Sequence, residues 1–166
     1  MLVCRNGYAD SLTLEGRPAA GRAVTVTVEE GTIVRIEPGG DGRHVLARAF
    51  VDPHVHLRTP GREDEETIES GTAAAAAGGY CAILAMPNTD PVVDSAPVLR
   101  GLVDAARRDA RVPVGFTAAI SRGLAGDELT EMGELADAGA VAFSDDGRPV
   151  ASAGLKIGRA SCRERV

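Results

Sequence analysis

The chain has 166 residues, 44% of them hydrophobic, and a net charge of −6, enough for about one soluble, mildly acidic globular domain. Aromatic residues make up only 3% and the basic residues are scattered, so the cationic, stacking-competent face that binding a nucleic acid requires is absent from the pattern. Apolar runs fall short of the roughly 20 residues that cross a bilayer, and Met1-Leu-Val-Cys-Arg-Asn6 lacks a signal peptide's long apolar stretch, so no membrane association and a cytoplasmic location are expected.

Residues 1–49 read as a small β module. Residues 23–28 alternate apolar and polar, and residues 32–36 form a second strand after the turn Glu29-Glu-Gly31. Residues 39–42 read as a further turn, and His44 beyond it as a solvated loop or edge histidine. After Phe50 the texture changes to strands alternating with helix-length segments, the pattern of βα units around a parallel sheet. Four strands are predicted, over residues 49–57, 80–86, 112–119 and 140–144.

The first intervening helix is expected to open on the acidic run Glu63-Asp-Glu-Glu66, which suits exposed amides and the positive end of the dipole, and to end at Gly78-Gly79. Its alanines at 73–77 let it lie close to a sheet. The second opens at Asp94, Ser95 and Pro97, carries Leu99, Leu102, Val103 and Ala106 at helical spacing, and closes on Arg107-Arg108. The third is expected over residues 127–138, with Leu129, Met132, Leu135 and Ala136 as its stripe and Gly139 as its stop. These stripes are core packing. Cys81 in the second strand has only Cys4 and Cys162 for company, an odd and widely spaced set that fits inert thiols in a reducing compartment.

The polar residues fall where a parallel α/β fold places chemistry, since His54 and His56, Asn88, and Asp145-Asp146 all lie at or just beyond the carboxyl ends of predicted strands. On a strand, alternation puts His54 and His56 on one face, along with Asp52 and Arg58. Two imidazoles on one face suit a metal such as zinc, although a catalytic site needs about three protein ligands. Taken singly, each element has a plainer reading: a surface His-x-His pair, a turn residue before Pro91 for Asn88, and a turn for Ser144-Asp-Asp-Gly147. Jointly they read as a metal site with a substrate-binding rim.

Four motifs carry a family resemblance: Asp52-Pro-His-Val-His-Leu-Arg58, the small-residue run 71–79, Met86-Pro-Asn-Thr89 and Ala142-Phe-Ser-Asp-Asp-Gly147. Together they resemble the amidohydrolase superfamily, bacterial dihydroorotases in particular. The His-x-His element is shared with hydantoinases, allantoinases and ureases, whereas Met86-Pro-Asn-Thr89 and Phe143-Ser-Asp-Asp-Gly147 are narrower. Thr59 departs from the glutamate usual at that position.

The resemblance implies the fold: the amino-terminal part of a (β/α)8 TIM barrel of the metal-dependent hydrolase type, about four of eight strands over residues 50–155, preceded by a partial β-sandwich module at 1–49. It also implies a reversible ring opening of dihydroorotate to N-carbamoyl-L-aspartate in pyrimidine synthesis, with one or two zinc ions acidifying water and polarising the ring carbonyl. His54 and His56 would ligate zinc, Asp146 rather than Asp145 would be the bridging carboxylate, and Arg58 and Asn88 would bind the carboxylate of a small anionic substrate. A homo-oligomer or a partnership with aspartate carbamoyltransferase would be in keeping with the family. The alternatives are a hydantoinase- or allantoinase-type enzyme, against which the narrower motifs weigh, and a non-catalytic scaffold subunit, against which the intact histidines weigh.

A complete barrel takes roughly 250 residues, so the remaining metal ligands and the family's catalytic aspartate are expected beyond Leu155. Residues 156–166 depart from the family pattern, turn abruptly basic and read as a foreign tail. An open half-barrel with unpaired edges is expected to be poorly soluble and without turnover by itself.

Overall fold

In the computed structural model, which describes residues 12–18, 22–40, 43–150 and 154–155, the chain forms two four-stranded sheets. Residues 156–166, expected to be foreign, lie outside the described residues, as do Cys4 and Cys162. The first sheet has the order β3-β2-β1-β4, built from β1 (Leu12–Pro18), β2 (Val24–Glu29), β3 (Thr32–Pro38) and the short β4 (Val45–Leu46). The alternating segment is β2, which pairs antiparallel with both neighbours. Its turn to β3 is the two-residue loop Glu30-Gly31, both at positive φ, the geometry that matches the twist of a hairpin. His44 is exposed in the bend before β4, as expected.

The second sheet is parallel throughout and keeps sequence order: β5 (Phe50–Val55), β6 (Tyr80–Ala85), β7 (Val114–Ala118) and β8 (Ala140–Phe143). The four predicted strands are therefore all present, each trimmed by one to three residues at one end or both. Between them run α1 (Ile68–Ala77), α2 (Ala96–Asp109) and α3 (Met132–Asp137). The core lies on the helix side of the sheet, where Ile83, Ala85, Phe116 and Ala118 pack with Leu57, Ile68, Leu99, Leu102 and Leu135. Leu99 is fully buried, as the helical stripe of α2 requires; burial of such a side chain contributes about 1.5–3 kcal/mol. On the opposite face Val51 and Val141 are more than 60% exposed, so within the described residues that face of the sheet is uncovered.

Two helices differ from the sequence expectation for local reasons. The acidic run does not open α1. The Glu63 carboxylate accepts from the Gly61 amide, and Glu65 and Glu66 donate their amides to the Arg62 carbonyl in a preceding turn. The start falls instead at Thr67, whose hydroxyl accepts from the Ser70 amide while the Ser70 hydroxyl accepts from the Thr67 amide. This reciprocal cap is worth about 1 kcal/mol and fixes the end of the helix.

The third helix is half the expected length. Residues 127–131 bend and pair with the loop after β7 because their backbone and hydroxyl groups are taken: Arg122 donates to the Glu128 carbonyl, Thr130 donates to the Ile120 carbonyl, and the Thr130 hydroxyl donates to the Ala119 carbonyl. Only Met132 and Leu135 of the predicted stripe are buried within α3 itself.

Candidate metal centre

The candidate residues sit at or just beyond the carboxyl ends of the second sheet's strands: His54 is the penultimate residue of β5, and His56, Asn88 and Asp146 follow the ends of β5, β6 and β8. Between Asp52 and Val55, β5 carries one residue more than the facing stretch of β6: Asp52 pairs with Ile83, but Val55 pairs with Ala85. That bulge shifts the alternation by one position. Asp52 and Val55 consequently both fall on the helix side, in a cleft of about 230 Å³ shared with Leu57, Glu66 and Ile83. His54 and His56 remain together on the other side. Asp52 is thus not on the face of the histidines, contrary to simple alternation; its carboxylate accepts from the His54 amide instead.

His54 and His56 meet the carboxylate of Asp146, which arrives from the loop after β8. His54 Nε2 is 3.3 Å from Asp146 Oδ1 and His56 Nε2 is 3.6 Å from Oδ2. The two rings stand edge to face with centroids 5.2 Å apart. One ligand atom from each of the three residues lies within 4.8 Å of the others. Two donors on a tetrahedral ion at about 2.05 Å are themselves about 3.3 Å apart, so the cluster is near the size that encloses one ion, which would draw the three ligand atoms closer together. Two nitrogens and one carboxylate oxygen form a borderline donor set of the kind that binds divalent transition metals.

Asn88, in the loop after β6, bridges two of these residues. Its amide nitrogen donates to Asp146 Oδ2 at 3.2 Å and its carbonyl oxygen accepts from His56 Nδ1 at 2.9 Å. A carboxylate only accepts, so the amide nitrogen must face it. The carbonyl then faces Nδ1, which must carry a hydrogen, and this leaves His56 Nε2 directed at the carboxylate and the ion position. Replacing Asn88 by alanine should weaken metal binding by about 10-fold, the lower end for an outer-shell partner. A Co²⁺ titration measures it, and unchanged affinity would show the bridge to be incidental.

Arg58 lies on the next turn of chain, with φ +59, so the alternation that placed the histidines does not reach it. Its Nε is 3.3 Å from Glu65 Oε2, and the side chain is 41% exposed. Glu65 also pairs with Arg62. The structure thus brings His54, His56, Asn88 and Asp146 into one cluster, while Arg58 pairs with Glu65 instead. Sequence reasoning missed Glu65 as the partner of Arg58. It also left Asp145 without a role.

A parallel β/α array with two imidazoles at its first strand and a carboxylate at its fourth defines part of a metal-dependent hydrolase barrel. L-hydantoinase (dihydropyrimidinase) from Arthrobacter aurescens has this fold: the likeness covers 88% of this chain and 37% of that one, with a TM-score of 0.62 and 20% identity. Residues 42–161 match the family model described as dihydro-orotase-like. The chain is 55% identical over 161 residues to a dihydroorotase of Solibacter usitatus, covering 92% of this chain and 36% of that protein. It is 44% identical over 154 residues to a dihydroorotase of Acetivibrio thermocellus, covering 90% and 34%. The chain belongs to the dihydro-orotase-like family, and it spans about a third of the length of these curated relatives. Among the described residues no helix is long and apolar enough to cross a membrane.

Proposed function

We propose that residues 50–155 supply the first strands, and part of the metal site, of a zinc-dependent dihydroorotase, which interconverts dihydroorotate and N-carbamoyl-L-aspartate in the cytoplasm. The observation that carries this reading is the convergence of His54, His56 and Asp146 within 4.8 Å, in a chain 44–55% identical to dihydroorotases. Zinc suits the donor set; bound there, it would polarise the ring carbonyl and acidify water. The same intact cluster argues against a scaffold subunit that has lost its metal.

The residues of the chain divide the work. Asn88 holds His56 and Asp146 in register and, standing at the rim, offers its amide to the substrate carboxylate. Arg58 takes that carboxylate through its planar donor fork, which matches two oxygens at once. Glu65 holds Arg58 by Nε until then. The sheet of β1 to β4 belongs to the partial β module that precedes the barrel.

The test is a complete barrel in which residues 1–150 of this chain are joined to the remaining two thirds of the Solibacter usitatus relative. It should bind zinc and cyclise N-carbamoyl-L-aspartate, and lose activity on chelation. Higher kcat/KM with hydantoins or allantoin than with dihydroorotate would overturn the substrate assignment.

A further inference from the structure

Asp145 is 6% exposed, yet it is an acidic residue beside an open site. Burying a carboxylate costs several kcal/mol unless its oxygens are met by donors. Here they are met from a single direction. Oδ1 accepts from the Ile120 amide at 2.8 Å and the Ser121 amide at 3.0 Å, and Oδ2 accepts from the Ser121 hydroxyl. The Ser121 hydroxyl oxygen in turn accepts from the Gly126 amide at 2.9 Å. Ser121 is fully buried and Ile120 nearly so.

The loop after β8 is thereby fastened to the loop after β7. That second loop is itself fastened to the loop after β6, because Ala119 donates to the Val93 carbonyl and Val93 donates to the Pro87 carbonyl. Asn88 follows Pro87 directly. One continuous set of hydrogen bonds therefore ties the backbone that carries Asp146 to the backbone that carries Asn88. Asp145 and Asp146 open a turn that the Arg148 amide closes on the Asp145 carbonyl at 2.7 Å, so the placement of one residue constrains the other. Pulling Asp145 into the β7 loop aims Asp146 at the histidines.

We infer that Asp145 is a positioning residue for the metal centre: its buried carboxylate, clamped by Ile120 and Ser121, sets the direction of Asp146. The inference rests on the reading of His54, His56 and Asp146 as metal ligands. It assigns the two neighbouring carboxylates separate tasks, one to the ion and one to the loop.

The experiment is a Co²⁺ titration of the full 166-residue chain, followed by visible absorption, with far-UV circular dichroism on the same samples. Asp145→Ala should weaken Co²⁺ binding by about 10–100-fold, as loss of an outer-shell support does, and alter the band shape without changing the dichroism. Asp145→Asn keeps an acceptor for the two amides and a group that pairs with the Ser121 hydroxyl, so it should stay within about threefold of the parent while Asp145→Ala does not. Ser121→Ala, which removes one leg of the clamp, should fall between. Parent-like binding by both Asp145→Ala and Ser121→Ala would overturn the inference. So would an Asp145→Asn variant as weak as Asp145→Ala, since charge and not geometry would then be acting. If Asp145→Ala loses its dichroism, the Ser121→Ala and Asp145→Asn pair decides by the same criteria. Failure of the parent chain to bind Co²⁺ would instead refute the metal-site reading, and the inference with it.

Discussion

Gly61→Ala should destabilise the chain by at least about 3 kcal/mol, because two independent costs coincide at this position. A Cβ there would stand 2.1 Å from the Asp90 carbonyl oxygen and 2.8 Å from Asp90 Cβ. The obstacle is backbone, and it is held in place, since the Asp90 amide donates to the Pro60 carbonyl at 3.1 Å. The glycine also sits at φ +101, where a residue with a Cβ is strained even in open space. Gly79→Ala separates the two costs: its φ is +85 but nothing lies within 4 Å of the added carbon, so only about 1–2 kcal/mol is expected. Urea unfolding of both variants against the parent measures the difference. Equal losses would mean that the contact between the loops yields easily. Gly61 also lies between the segments bearing Arg58 and Asn88, so the same substitution should reduce metal affinity before it unfolds the chain.

The sequence made the centre itself legible because two rules act on few residues: alternation along a strand, and the location of sites at strand carboxyl ends. Those rules placed His54, His56, Asn88 and the pair Asp145-Asp146 at one end of the sheet, the family resemblance singled out Asp146, and the structure brings His54, His56, Asn88 and Asp146 into contact. The rules failed where tertiary pairing overrode local pattern. Asp52 changed face because β5 bulges against β6, and a bulge is visible only once the partner strand is known. Arg58 left the alternation because its backbone turns into the left-handed region. Acidic residues at 63–66 resembled the opening turn of a helix, but the Thr67–Ser70 pair offered a better cap and the acids were drawn into the preceding turn. Residues 127–131 had a helical stripe, yet Ile120 and Arg122 captured their backbone groups first. The role of Asp145 lay beyond reach for the same reason, since its partners are 24 and 25 residues away in the chain.

Asp146→Asn should remove at least about 100-fold in metal affinity, more than any outer-shell substitution, and leave the stability of the metal-free chain almost unchanged. The substitution keeps the volume and one acceptor oxygen but takes away the anionic oxygens that face both imidazoles at 3.3 and 3.6 Å. An ion held by two nitrogens and a neutral amide has lost its only protein counter-charge among the residues that enclose it. Stability changes little because these contacts are only partly buried, with side-chain exposures of 54% for His54, 30% for His56 and 18% for Asp146, and contacts of that kind contribute about 1 kcal/mol at most. Asp145→Asn is the matched control one residue away, for which near-parent affinity is expected. Co²⁺ or Zn²⁺ titration and denaturant unfolding on the same preparations read the two quantities separately. If Asp146→Asn loses metal only in proportion to lost structure, or if Asp145→Asn loses more, then the carboxylate at 146 supports the loop and the ligand must be sought at 145.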